Sequence, residues 1–282
     1  MHSNIAANSS IPSLDKFLGR LQLEPAVLVS IASTEGSAPR EAGSWMAVFA
    51  DGVAGTIGGG HVEFDAMARA RALLAGIASA GDKAIHRYAL GPSLGQCCGG
   101  VMYLKFEPVN AGEGQALAAR LISESRKHLR PVALFGGGHV GHALVQVLSK
   151  LPFSMTWVDS RDGVFPAQLP YGVVCEHSDP VQAAVADVAS GSRVLIMRFS
   201  HAEDLDVLTA CLLRQRTQGD LPYIGLIGSK TKWATFRHRL EARGFTGEEL
   251  AHVTSPIGIQ GISGKEPEVI AVAVAAQLLQ AR

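Results

Sequence analysis

The run Gly136-Gly137-Gly138-His139-Val140-Gly141 constrains this chain more than any other feature. It follows the apolar run Val132–Phe135 and opens a segment in which Val140, Ala143, Leu144, Val147 and Leu148 recur at helical spacing. Asp159 ends the next apolar run, 18 residues after Gly141. A strand, a glycine turn, a helix and then an acid at that distance predict a dinucleotide-type fold. Gly136 would permit the tight turn, Gly138 would let backbone approach a phosphate, and Gly141 would let helix and strand pack. The N–H groups at the helix start would face an anion. Asp159 would then take a hydroxyl of a ribose or similar polyol. The same turn can also serve packing alone and bind no dinucleotide.

From Pro131 onward, apolar runs at Pro131–Phe135, Met155–Val158, Gly172–Cys175, Val194–Phe199 and Tyr223–Ile227 alternate with helical patterns. Short apolar strands separated by helices predict a parallel sheet covered on both faces. Ser200-x-x-Glu203 predicts a capping box for a helix through Asp204–Leu213. His201 lies beside that cap, at a strand's C-terminal end, where ligands of open α/β sheets collect, and an exposed loop histidine without a ligand is the competing reading. Gly228, Ser229 and Lys230 follow the last strand and are candidates to grip a phosphate, through backbone N–H groups and a point charge. An ordinary solvated surface is the competing reading for Lys230.

The earlier part has a different texture. Ala26–Ile31, Trp45–Phe49, Ala84–Leu90 and Val101–Phe106 read as strands between turn formers, and a helix follows Gly60 and stops at Gly76. This predicts a small α+β domain. Within it, Gly58, Gly59 and Gly60 allow successive N–H groups to converge on an anion, and His61 adds a proton donor or metal ligand. A tight turn with close backbone packing is the alternative. Gly95-Gln96-Cys97-Cys98-Gly99-Gly100 is rarer: adjacent cysteines make no ordinary disulfide, and flanking glycines leave thiols free for sulfur, a metal or an electrophile. The competing reading is a pair of small buried residues. Arg40 would bind a phosphate or pair with Glu35 or Glu41. Pro108–Gln115 is rich in turn formers and reads as a linker, followed by a helix over Gln115–His128. The expected division is residues 1–108, a linker and helix over 109–130, and a Rossmann-like domain over 131–282.

Lys plus Arg and Asp plus Glu both total 25, so the formal charge is zero and no basic surplus serves nucleic-acid binding. Residues 1–14 hold no Lys or Arg and no long apolar run, so they lack the basic and apolar regions of a secretory signal, and Val269–Leu279 is too short to span a membrane. A cytoplasmic protein without membrane contact is expected. The four cysteines, Cys97, Cys98, Cys175 and Cys211, form neither a disulfide framework nor a zinc pattern. No Ser/His/Asp set, H-E-x-x-H motif or Walker A loop is evident.

Taken together, the motifs resemble those of the XdhC/CoxI family, the xanthine dehydrogenase accessory proteins. They are Thr34-Glu35-Gly36-Ser37-Ala38-Pro39-Arg40, Gly55-Thr56-Ile57-Gly58-Gly59-Gly60-His61-Val62-Glu63, Leu94 to Gly100, Phe135 to Gly141, Tyr223 to Lys230, Ser255-Pro256-Ile257-Gly258 and Lys265 to Ala271. His61 after the three glycines, with Gln96-Cys97-Cys98, is closer to the xanthine dehydrogenase branch than to the carbon monoxide dehydrogenase one. The chain departs from the family's pattern near Gln260, where a charged residue is expected.

The resemblance implies an α/β protein with a small N-terminal α+β domain of XdhC type and a C-terminal Rossmann-like domain. It implies a chaperone, not an enzyme, that binds the molybdenum cofactor (molybdopterin), supports its sulfuration with a cysteine desulfurase, inserts it into xanthine dehydrogenase and commonly forms a homodimer. Cofactor-binding candidates are Gly58, Gly59, Gly60, His61, Gln96, Cys97, Cys98, Gly136, Gly138, His139, Gly141, Asp159, Gly228, Ser229 and Lys230. Cys97 and Cys98 are the candidates for molybdenum contact, since soft sulfur suits that centre. Two other classes compete: an NAD(P)-dependent oxidoreductase using Gly136–Gly141 and Asp159, and a redox sensor using Cys97 and Cys98.

Overall fold

A computed structural model describes residues 3–5, 12–76, 85–90, 99–127 and 129–281. The chain forms two compact units, one of residues 10–127 and one of residues 128–282 together with residues 1–9.

The first strand, β1 (Ser3–Ile5), belongs to the second unit, while α1 (Pro12–Leu21) opens the first. Five strands follow: β2 (Ala26–Glu35), β3 (Trp45–Phe49), β4 (Gly52–Gly55), β5 (His86–Ala89) and β6 (Val101–Val109). They form an antiparallel sheet in the order β4-β3-β2-β6-β5. Its two helical layers come from α2 (Gly60–Leu74) on one face and α1 with α3 (Gly114–Lys127) on the other. Alternation along β2 explains this: Val27, Val29 and Ile31 pack with Val62, Ala66 and Ala70 of α2, whereas Ala26 and Leu28 pack with Phe17, Leu117 and Leu121. Where both faces are buried, as along Ala26–Val29 of β2 and in β3, the strands read as continuous apolar runs, whereas β6 alternates buried with partly exposed residues.

The turn formers of Pro108–Gln115 have a more specific role than a linker needs. Pro108 and Val109 complete β6, and Asn110 and Glu113 form a capping box around the short helical turn Ala111–Glu113, which leads straight into α3.

The second unit contains β7 (Arg130–Phe135), α4 (His139–Leu148), β8 (Phe153–Asp159), β9 (Val173–His177), β10 (Arg193–Ile196), α5 (His201–Gln218), β11 (Tyr223–Leu226), α6 (Lys230–Ala242), α7 (Gly247–Ala251), β12 (Val253–Thr254) and α8 (Pro267–Gln280). The sheet order is β1-β9-β8-β7-β10-β11-β12, with β7 to β12 parallel and β1 antiparallel at the β9 edge. Numbered from β7, the parallel strands run 3-2-1-4-5-6, the doubly wound Rossmann order. Leu144, Leu148, Val274 and Leu278 of α4 and α8 cover Val132, Leu134 and Trp157 on one face. Leu208, Cys211, Phe236 and Leu240 of α5 and α6 cover Phe135, Ile196 and Ile224 on the other. Each such side chain contributes roughly 1.5–3 kcal/mol by leaving water. The strand order reverses between the parallel neighbours β7 and β10, so the crevice for ligands lies beyond the carboxyl ends of those strands.

Candidate functional site

The glycine turn sits at that crevice. Gly136 has φ 137°, and a Cβ there would lie 2.3 Å from the Met197 carbonyl oxygen at the end of the neighbouring strand. A Cβ on Gly141 would lie 2.2 Å from the Gly136 carbonyl oxygen, which also accepts the Trp157 indole N–H at 2.9 Å. Both glycines are therefore fixed by backbone packing. Gly138 is the N-cap of α4, has open space where a Cβ would be, and supplies no side-chain cap. The amides of the first α4 turn thus have no side-chain acceptor, the arrangement that suits an anion.

Asp159 occupies the predicted place at the end of β8, but with different work. It is fully buried. Its Oδ2 accepts from Gly137 N at 2.6 Å and Arg161 Nη2 at 3.0 Å and pairs with Arg198 Nη1 at 2.5 Å, while Oδ1 accepts from Arg161 N at 2.9 Å and Nε at 3.1 Å. Burial pushes this carboxyl up, but the bonds from Arg161 and Arg198 outweigh it and hold the group well below the usual carboxylate range. The expected sugar ligand is thus an anchor for two arginines.

A charge network extends from this anchor. Arg198, whose side chain is fully buried, also reaches Glu203 Oε2 at 3.0 Å and Ser160 Oγ at 2.5 Å. Asp204, also buried, accepts Arg198 N at 2.8 Å on Oδ1 and Lys232 Nζ at 2.6 Å on Oδ2. The predicted capping box is consequently half formed. Ser200 Oγ accepts from Ala202 N, but Glu203 turns to Arg198 and Ser160 because a buried guanidinium offers it more than the helix end does. Strand β10 stops at Ile196, short of the expected Phe199, which projects 87% exposed beside Arg161.

The other candidates of this unit are placed as follows. Ser229 caps α6 by accepting from Lys232 N, and Lys230 is exposed at the first position of that helix. Gly228 has φ 153°, and the Lys232 stem lies where its Cβ would point, on the way to the Ile227 carbonyl at 2.8 Å. His139 lines, with His142, Ala143, Gln146, Pro267 and Glu268, a cavity of about 410 Å3 on the α4–α8 face. It therefore joins the 136–141 motif to the 265–271 motif. His201 is exposed, edge-on to Phe236. Gly258 of the 255–258 motif donates to Gln277 Oε1 at 2.8 Å, which also accepts Tyr223 Oη–H at 2.7 Å, so that motif holds α8 in place.

In the first unit, Gly58, Gly59 and Gly60 have φ of 121°, 77° and 72°. Their turn does gather N–H groups around an anion, and the anion is the chain's own. Glu63 Oε2 accepts from Thr56 Oγ1 at 2.5 Å, Ile57 N at 3.0 Å and Gly59 N at 3.1 Å, and Gly58 N donates to Thr56 Oγ1. Burial pushes the Glu63 carboxyl up, and these donors more than reverse the shift. A carboxylate in the first turn of α2, one turn past a glycine run, is the signal that reveals such a self-filled nest. His61 is exposed and with Gly60 and Phe64 lines a recess of about 380 Å3.

Three motifs meet at one end of this sheet. A Cβ on Gly58 would touch Pro39 at 2.9 Å and Arg40 at 3.2 Å, and one on Gly100 would lie 2.2 Å from the Ser37 carbonyl. Arg40 is exposed and pairs with neither Glu35, which accepts from Tyr103 Oη, nor Glu41. Gln96, Cys97 and Cys98 lie outside the described residues. Of the described cysteines, Cys175 and Cys211 are buried, and burial pushes each thiol up to about 12, so neither is a nucleophile near neutral pH. Among the described residues, no group of three His, Cys, Asp or Glu side chains is placed to hold a metal ion, and no helix is long and apolar enough to cross a membrane.

Comparison with known proteins adds to this geometry. Residues 132–278 match the family described as the XdhC Rossmann domain, and residues 20–89 match the XdhC and CoxI family. An uncharacterized protein of Escherichia coli strain K12, YqeB, is 28% identical over 266 residues, covering 92% of this chain and 44% of its own length. This chain thus spans under half of that relative. The fold is shared with a Bacillus halodurans protein described as a xanthine dehydrogenase, at 21% identity and a TM-score of 0.66, with 95% of each chain covered.

Proposed function

The chain belongs to the XdhC and CoxI family, and from that premise we propose that it acts in xanthine dehydrogenase maturation as a non-enzymatic carrier of the molybdenum cofactor. The observation that carries this reading is the presence in one chain of both family domains. The convergence of the 34–40, 55–63 and 99–100 segments at one sheet end supports it.

The residues fit the cofactor selectively. Its phosphate suits the uncapped start of α4 at Gly138 and His139, and the cavity beside His139 and His142 has room for part of a small heterocycle. The turn at Gly58–Gly60 is the poorer phosphate site, because Glu63 already accepts from Ile57 N and Gly59 N and Thr56 Oγ1 accepts from Gly58 N. With Cys175 and Cys211 buried, Cys97 and Cys98 are the thiols assigned to the metal side. The cofactor would supply the molybdenum and dithiolene on which the sulfido ligand is installed. This chain's work is to bind, shield and hand over. A cysteine desulfurase is the proposed sulfur source, xanthine dehydrogenase the recipient and a homodimer the working form.

The test is to mix the protein with freshly released cofactor, remove free ligand and assay retained pterin and molybdenum. Near-stoichiometric retention is expected, falling at least tenfold when Cys97 and Cys98 are both replaced by serine. Absence of retention by the wild type refutes the carrier role. Unchanged retention and enzyme activation by the double variant refute the cysteine assignment alone.

A further inference from the structure

A Rossmann turn that reads a dinucleotide needs two things on its acidic side: a carboxylate oxygen free to accept a ribose hydroxyl, and empty space over the turn. Neither is present in this chain. Both oxygens of Asp159 are saturated, Oδ1 by two donors of Arg161 and Oδ2 by Gly137 N, Arg161 and Arg198. The space is filled as well. A Cβ on Gly137 would lie 1.8 Å from Val164 Cγ1, so that methyl group stands directly over the turn. The segment carrying Arg161 and Val164 therefore folds back across the Asp159 side, while a Cβ on Gly138 would meet nothing within 4 Å.

From this asymmetry we infer that Arg161 and Val164 close the ribose side of the turn, so that the Rossmann unit rejects NAD(H) and NADP(H) and admits only ligands that leave that side untouched. Arg161 does not rescue NADP(H). Its Nε and Nη2 both serve Asp159, and turning them to a 2′-phosphate would strip the buried carboxylate of two bonds. Adenosine-ribose recognition and the present packing are mutually exclusive.

The inference stands apart from the carrier role, and its test uses nucleotides only. NADH and NADPH fluorescence is titrated against the full chain to about 1 mM. The wild type is expected to show no saturable binding. In an Arg161→Ala/Val164→Gly variant, Oδ1 of Asp159 regains a lone pair and the space over Gly137 opens, so binding at least tenfold tighter than wild type is expected. Val164→Ala, a milder truncation, gives a smaller gain and carries the test should the double variant fail to fold. Saturable binding by the wild type overturns the closure, and folded variants as blind as wild type overturn its assignment to these two side chains.

Discussion

Replacing Asp159 with asparagine removes one charge from the centre of the Rossmann network and leaves the shape nearly unchanged. Removing one member of a buried ion pair costs about 3–5 kcal/mol, because the remaining charge loses its counterion without regaining water. The full penalty applies to Arg198, whose side chain is entirely buried. Two features lower it. Glu203 still lies 3.0 Å from Arg198, and Arg161, 43% exposed, can return to solvent. Against that, asparagine turns an NH2 group toward one of several donors that have no use for it. The expected loss is about 2–4 kcal/mol in the unfolding of the Rossmann unit. In urea, with a slope of about 1–3 kcal/mol per molar, the midpoint falls by roughly 1–2 M. The pH dependence follows from the depressed carboxyl: native Asp159 releases its proton below the range of an unfolded aspartate, about 3.9, so its stabilisation is complete above about pH 5 and is lost as pH falls through the lower native value. The variant should lack that part of the acid slope. A midpoint shift equivalent to less than about 0.5 kcal/mol, or an unchanged acid slope, would refute the network as a source of stability.

Two other expectations follow from buried or self-filled groups. Glu63→Gln should destabilise the first unit by about 1–2 kcal/mol at pH 7, since the carboxylate bonded to Thr56, Ile57 and Gly59 is half-exposed and water replaces part of what is lost. Because the Glu63 carboxyl is also depressed, the difference from wild type should shrink as pH drops below about 4, and a constant difference in a pH series of thermal melts would count against the assignment. Thiol titration at pH 8 should label Cys175 and Cys211 only after denaturant is added, and rapid labelling of either in the native protein would contradict their burial.

The sequence predicts the Rossmann half well because its signals are local. Gly136 and Gly141 sit where their packing demands no side chain, and β7, α4 and β8 follow from a glycine pattern and apolar runs of ordinary length. What escapes are features settled by distant residues. Asp159 has the position of a sugar ligand, and only the fold brings Arg198, 39 residues further on, into its pocket. Strands β4 and β12 are too short and too glycine-rich or isolated to carry a period-two signal. Phe199 prolongs an apolar run by sequence, yet the strand ends earlier because Arg198 N turns to the Asp204 carboxylate and the chain leaves the sheet. The glycine turn at Gly58–Gly60 is a different case. Its anion-gathering shape is legible, and its occupant, Glu63, is a close neighbour whose role depends on the exact start of α2.

Strand β1 carries a practical consequence for anyone who would study the halves apart. It pairs Ser3, Asn4 and Ile5 with His177, Glu176 and Cys175 of β9, so the outermost ribbon of the parallel sheet is drawn from a stretch of sequence that precedes the other unit altogether. A recombinant fragment starting at 128 would contain every residue of the Rossmann family match and still present β9 as a raw border, with its amide and carbonyl groups bare. Such borders recruit neighbouring molecules, so clumping of that fragment would report a missing selvedge rather than a failed fold. Supplying residues 1–9 as a separate peptide, or splicing them ahead of residue 128, is the repair that the topology prescribes.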